Sequence, residues 1–300
     1  PYFFGITKFK MMKGFFEYNG DFFYTNSEGV LQTGWQEIDG KYYYFDKDSY
    51  KGLTGWHDID GLRYYFDPVN KERYQGIREV DGVNYFFGVT QGKLMLGYGF
   101  IDYNGERYYA DPETGEVASN VTIVDGVPYF FGITKFKMMK GFFEYNGDLF
   151  YSNSKGILQT GMIDTGEGYY YFDSESYKAT SGLFEIDNET YYFDPVTKKR
   201  ASGVTLVDGK YYFFGIKYGK KMYGWINNNG TYYYADPTIG ELATDWTVID
   251  GKRYFFGLTT KRMMKGKLTY PVDGKVYYLN PNTGELVTGH QVINGNDYYC

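Results

Sequence analysis

Apolar and polar positions along this 300-residue chain repeat with a period of about twenty-one. Each period holds a short apolar run, then Asp-Gly or Asn-Gly, then at once an aromatic run. The frame is plain in WQEIDGKYYYFDKDSYKGLTG (35–55), WHDIDGLRYYFDPVNKERYQG (56–76) and IREVDGVNYFFGVTQGKLMLG (77–97). It returns in VTLVDGKYYFFGIKYGKKMYG (204–224) and WTVIDGKRYFFGLTTKRMMKG (246–266). The two-residue pairs include Asp39-Gly40, Asp60-Gly61, Asn104-Gly105 and Asp250-Gly251. Both central residues of a type I′ turn need positive φ, which Asn, Asp and Gly tolerate best. Each period therefore predicts a β-hairpin followed by a loop.

Two aromatic columns run through the units. Three residues after the turn glycine stand Tyr43, Tyr64, Tyr85, Tyr108, Tyr233 and Tyr254, among others, and the next position is Tyr or Phe in every unit. Successive strand residues face opposite ways, so both faces of each hairpin carry rings. A free hairpin of this length is marginal in water, and rings on both faces call for a neighbour on each side. The expected fold class is thus all-β: a β-solenoid of about fourteen stacked hairpin repeats of about 21 residues, stabilised by neighbour contacts.

A longer cycle is superimposed. Residues 1–34 and 128–161 agree at 30 of 34 positions, and the marker FFG-x-T-x-x-[KR]-M-M-K-G recurs at 3–14, 130–141 and 255–266. The chain reads as one continuous array over 1–300, with six-unit cycles at about 15–141 and 142–266 and partial units at both ends. That pattern is expected of a window on a longer protein.

Composition narrows the function. Aromatic residues make up 22% of the chain, with 37 Tyr and 25 Phe against 4 Trp. Tyrosine hydroxyls need water or a partner, which suits a thin structure. A net charge of −6 argues against nucleic acid, which calls for a basic face. No apolar run approaches the length of a membrane span. A single cysteine, Cys300, leaves no internal disulfide and no cysteine-based metal site, and two histidines give nucleophile–His catalysis little to work with.

The candidate chemistry lies in the rings. Most serve stacking between hairpins, but Trp35, Trp56, Trp225 and Trp246 open their units in two adjacent pairs, which suits platforms for sugar faces or quaternary ammonium groups. The expected ligand-binding residues are these four with Tyr43, Tyr64, Tyr233 and Tyr254 of the same units. Lys10-Met11-Met12-Lys13, Lys137-Met138-Met139-Lys140 and Arg262-Met263-Met264-Lys265 read as packed methionine beside solvated cations, with a basic patch for anionic polymers as the alternative. Asp67-Pro68, Asp111-Pro112, Asp194-Pro195 and Asp236-Pro237 offer one carboxylate each, which makes turns rather than calcium sites. No catalytic pair, metal site or cofactor is expected.

The phrases TGWQEIDGKYYYFD (33–46), GWHDIDGLRYYFD (55–67) and GLFEIDNETYYFD (182–194) resemble the cell-wall-binding repeat superfamily. That superfamily includes choline-binding repeats, glucan-binding repeats and the repetitive region of large clostridial glucosylating toxins. Choline-binding units resemble GWxxxxGxWYY; here the first Trp is kept, while Tyr42, Arg63, Tyr232 and Arg253 stand at the second. The cycle of short units broken by FFG units looks most like the toxin repeats. The resemblance implies a non-enzymatic, secreted or surface-displayed module of a Gram-positive bacterium that binds cell-surface glycans multivalently. The alternatives are an anchor on the bacterium's own choline, teichoic acid or glucan, or a self-associating structural array.

Overall fold

The computed structural model describes residues 1–3, 11–293 and 296–299. Lys10 and Cys300 therefore lie outside the described residues, as does most of the first FFG marker. The chain is all-β: the described residues form fourteen two-stranded antiparallel sheets, each a hairpin of consecutive strands. In a typical one, Gly34–Ile38 pairs with Lys41–Phe45 so that Trp35 opposes Tyr44 and Gln36 opposes Tyr43. The turn between them has φ of 52° at Asp39 and 74° at Gly40, the double left-handed geometry of the I′ turn. Asp187-Asn188 does the same work without glycine, at 52° and 60°.

The chain divides into two compact units, residues 1–141 with 152–158, and residues 142–151 with 159–300. Each is a β-solenoid of stacked hairpins, and the same joint recurs in both. One residue after each loop donates its N–H to a carbonyl of the preceding hairpin. In the first unit these bonds include Arg73 to Tyr42, Leu94 to Arg63 and Met138 to Arg107; in the second, Arg200 to Tyr169, Leu242 to Tyr211 and Met263 to Tyr232, all at 2.7–2.8 Å. We call this residue the ladder residue.

A single backbone bond per step cannot hold a stack, and burial supplies the rest. The innermost position is the last residue of each second strand, one place beyond the two tyrosine columns. Phe45, Phe66, Phe87, Phe131, Phe172, Phe193, Phe214 and Phe256 are fully buried there. Ala110, Ala235 and Leu279 take the same place without exposure, and Thr25 and Ser152 are nearly as deep. Each buried phenylalanine contributes about 1.5–3 kcal/mol of transfer free energy, which is what makes a ten-residue hairpin hold its place.

Loops are tied by the residue that follows this buried position. Asp111 Oδ1 accepts from the N–H groups of Glu113 and Thr114 at 2.9 and 2.8 Å, and Asp236 from Thr238 and Ile239 at 2.8 and 2.9 Å. Asp46, Asp173 and Asp194 repeat the arrangement, and Asn26, Asn153 and Asn280 reproduce it with an amide oxygen. The Asp-Pro pairs are thus turn caps, as their sequence suggested.

These backbone N–H bonds hold Asp46, Asp111, Asp173, Asp194 and Asp236 below the usual carboxylate range. A carboxyl lowered on folding adds stability above its unfolded pKa and loses it as pH falls through the folded value. Melting temperature should therefore fall as pH drops from about 4 towards 2. Changing Asp111, Asp173, Asp194 and Asp236 together to Asn, the residue already used at 26, 153 and 280, should leave the neutral melt nearly unchanged and flatten that acid slope. An unaltered slope would remove these caps from the acid response.

Candidate functional site

Cross-strand register decides which rings can meet. Because Trp35 opposes Tyr44 and Glu37 opposes Tyr42, those four side chains share one face of the hairpin, while Tyr43 and Phe45 share the other. The same holds at Trp225, which faces with Tyr232 and Tyr234 and away from Tyr233. The tryptophan and the tyrosine expected to act together within one unit therefore point in opposite directions. Each meets a neighbouring hairpin instead.

Trp35 lies edge-on to Tyr64 of the next hairpin, with ring centroids 5.0 Å apart, and to Tyr44 of its own at 5.2 Å. Trp225 repeats this with Tyr254 at 5.0 Å and Tyr234 at 5.2 Å. Trp56 meets Tyr85 at 5.2 Å, and Trp246 meets Tyr277 at 4.9 Å. Tyr43 packs backwards on Phe15 at 5.1 Å and Tyr233 on Phe213 at 5.0 Å. Phenylalanine holds the tryptophan place at Phe100, 5.2 Å from Tyr129, and at Phe142, 4.8 Å from Tyr170. So the chemistry-bearing unit is a seam between hairpins.

Four positions make each seam: the tryptophan-column residue, the residue diagonal to it on the same hairpin face, the tyrosine of the next hairpin, and the ladder residue. At Trp225 these are Trp225, Tyr232, Tyr254 and Met263. At Trp35 they are Trp35, Tyr42, Tyr64 and Arg73. Trp56 and Trp246 have Arg63 and Arg253 on the diagonal and leucines, Leu94 and Leu286, on the ladder.

Exposure separates the members. Trp35 and Trp225 are 37% and 43% exposed, whereas Tyr43, Tyr64, Tyr233 and Tyr254 are buried at 5–8%. Trp56 and Trp246 are half-buried. Burial raises the Tyr43 and Tyr254 hydroxyls above the ordinary tyrosine range. The tyrosines thus form the floor and the tryptophans a half-open wall, a geometry suited to a flat apolar face or a soft cation.

Cations already lie on these walls. The Arg73 guanidinium is 4.4 Å from the Tyr42 ring centroid and 5.6 Å from that of Trp35, and Arg253 sits 4.6 Å over Trp246. Lys265 Nζ lies 4.8 Å over Tyr232 and also donates to the Asn282 carbonyl at 2.8 Å. The seam at Phe100 opens into a cleft of about 810 Å³ whose lining includes Arg107, Tyr129, Lys137, Met138, Lys140 and Lys155. Its cations are partly answered: Lys137 pairs with Glu106 at 2.6 Å and Arg107 with Asp102 at 2.7 Å. Met138 is buried while Lys140 is exposed, the packed-methionine arrangement. No cluster of three or more His, Cys, Asp or Glu able to hold a metal ion occurs among the described residues.

The diagonal and ladder residues were missed as site members in the sequence. Face alternation across the I′ turn would have paired Trp35 with Tyr42 rather than Tyr43. No signal marks the ladder residue, because its place depends on how one hairpin sits on the last.

The stack thus carries partly open aromatic walls at Trp35, Trp56, Phe100, Phe142, Trp225 and Trp246, while the same column holds Ile77, Val121, Met162, Leu183 and Val204 elsewhere, an arrangement suited to a repeat-built binding module. Residues 243–289 match the model of the choline-binding repeat, and residues 33–48 and 224–238 match that of a putative cell wall binding repeat. The three segments contain Trp246, Trp35 and Trp225. Choline binding protein F from Streptococcus pneumoniae, in one crystal form, has a TM-score of 0.51 and 22% identity, the match covering 92% of this chain and 98% of that one. The same pneumococcal protein crystallised in the presence of a peptidoglycan analogue, a tetrasaccharide-pentapeptide, gives 0.55 at the same identity and coverage. Among curated proteins none matches. These three segments are thus similar to choline-binding and cell wall binding repeats, and the chain as a whole shares the fold of choline binding protein F.

The seam geometry predicts a graded cost of truncation. Phe66→Ala, at a fully buried position, should cost about 3–5 kcal/mol. Trp225→Ala, on the half-open wall, should cost about 1–3 kcal/mol, including the edge-on pair with Tyr254. Urea unfolding of the two variants checks the order, and a larger loss at Trp225 would contradict it.

Proposed function

We propose that this chain is a non-catalytic attachment module that binds choline-type quaternary ammonium groups of a bacterial wall polymer in the seams between its hairpins. The observation that carries this reading is the Trp225 seam. There a half-exposed tryptophan and the diagonal Tyr232 lie beside the buried Tyr254 of the next hairpin, with Met263 packed against the cluster around Tyr254 and the exposed Lys265 ammonium resting on Tyr232. A quaternary ammonium is a large, weakly hydrated cation that cannot donate hydrogen bonds, so ring faces are its best partners. That the chain's own guanidinium and ammonium groups settle on equivalent rings supports the same reading.

The matches to choline-binding and cell wall-binding repeats favour anchoring over the recognition of host glycans that the toxin-like cycle suggested. Anchoring to a wall polymer puts the module on the cell surface or outside the cell. A single shallow seam binds weakly, about millimolar on the affinity scale set by a few cation–π contacts. Several seams engaging one polymer raise the effective concentration and hold the module without any new contact.

The test is retention on immobilised choline together with titration of free choline by calorimetry. The folded chain should be retained, should elute with free choline, and should lose about one binding equivalent in Trp225→Phe/Tyr232→Ala. Saturable binding to a defined host glycan, with no retention on choline, would overturn the reading.

A further inference from the structure

Two arginines occupy the same point of the repeat, one in each unit. Arg73 and Arg200 are ladder residues, with N–H groups donating to the Tyr42 and Tyr169 carbonyls at 2.8 Å. Each then lays its guanidinium on the ring of the residue it has bonded, 4.4 Å from Tyr42 and 4.1 Å from Tyr169. Each has one further tie, from Nη2 to a loop carbonyl: Thr90 at 3.0 Å and Lys217 at 3.2 Å. In both, the Nε is buried and makes no hydrogen bond.

The loop is shaped to cover them. Gly92 and Gly219 lie against the two guanidinium groups at φ of 67° and 72°, and a β-carbon at either place would run into the arginine Nε and Cδ. The cation is thus held between an aromatic wall and a glycine backbone, and it has no carboxylate ion-pair partner among the described residues. Burial lowers both guanidinium pKa values, though arginine keeps its charge at neutral pH. An ordinary surface arginine would turn to water or to an acid. These two are fixed where a bound cation would sit.

Several other seams put an apolar residue at the same place, Leu94, Met138, Leu242, Met263 and Leu286, while Lys221 lays its ammonium 4.4 Å over Tyr212 in a seam whose tryptophan-column residue is Leu183. The contrast is sharpest between Trp35–Tyr42–Tyr64 with Arg73 and Trp225–Tyr232–Tyr254 with Met263. The three rings correspond one for one, but the fourth member differs: the Arg73 guanidinium is half-buried under its loop, whereas at the Trp225 seam the ladder residue is Met263 and the cation on Tyr232 is the exposed ammonium of Lys265, which reaches in from outside the seam.

We infer that Arg73 and Arg200 are built-in occupants that close their seams to external cations, so that the ladder residue decides which seams of the array accept a quaternary ammonium ligand. The inference rests on the proposed choline reading for the kind of ligand, but the closure is a property of these two arginines. Replacing either with methionine, the residue found at 263, removes the internal cation and leaves an apolar floor.

Calorimetric titration of choline into the wild-type chain, Arg73→Met and Arg200→Met tests it, with circular dichroism confirming the fold of each. The expected result is one additional binding equivalent in Arg73→Met, accompanied by a choline-dependent change in fluorescence that Trp35→Phe in the same background removes. Arg200→Met carries the test independently should the first variant fail to fold; its seam has Met162 in the tryptophan column and Tyr169 and Tyr191 as its rings, so it too should gain one equivalent, of weaker affinity. Wild-type binding with no gain in either folded variant overturns the closure and leaves the choline reading standing. A silent wild type with binding in Arg73→Met upholds the closure and overturns the proposed function. Silence in all three overturns both.

Discussion

A two-stranded sheet of ten residues has no interior of its own, and everything else in this molecule follows from that. Both faces of hairpin 34–45 carry rings, so neither can be left to water and each must be covered by a neighbour. The covering is done by one residue per hairpin, the buried position of Phe45, Phe66 and their equivalents, and by one backbone bond from the ladder residue. Stability is therefore local and additive along the stack, as in other repeat proteins. Inter-hairpin ion pairs such as Lys51–Asp21 and Lys178–Asp148, both at 2.8 Å, lie at the surface and contribute little.

The same constraint builds the candidate site. Stacking pleated hairpins brings the diagonal pair of one face against the tyrosine of the next hairpin and leaves the tryptophan-column residue partly uncovered whatever its size: Phe100 is 36%, Leu183 46% and Trp225 43% exposed. Trp35 and Trp225 are both wall and packing contact, each touching a buried phenylalanine, Phe66 at 5.8 Å and Phe256 at 6.2 Å. On the proposed reading, binding surface and core are two sides of one ring, which couples affinity to stability at a seam. This also explains why so many rings are needed for so few open walls.

Variation along the array is concentrated where it does not disturb the stack. The innermost column is phenylalanine in most hairpins, with Ala, Thr, Ser or Leu in the rest, and most turns are Asp-Gly or Asn-Gly. The ladder residue, by contrast, ranges over Gly52, Arg73, Leu94, Val117, Met138, Lys221 and Leu242. Its backbone makes the joint whatever its side chain is, which frees the side chain to fill, floor or close the seam. Near-identical units can then differ in what they admit.

The turn chemistry and the period, read from residues alone, were enough for the hairpins, the all-β class and the stacking, because φ signs at Asp39-Gly40 and its counterparts are local properties. The four tryptophans also stood out by position. That Trp35 shares a face with Tyr42 rather than Tyr43 was implicit in face alternation, while its contact with Tyr64 depends on how the next hairpin stacks. The innermost place of Phe45, the fourth seam position and the arginines resting on Tyr42 and Tyr169 were not legible at all. They depend on how far each hairpin advances along the stack, and that advance is set by packing between residues some thirty places apart. Local conformational preference carries no information about it, so only the tertiary structure decided which rings face a neighbour, which face water, and which already hold a cation.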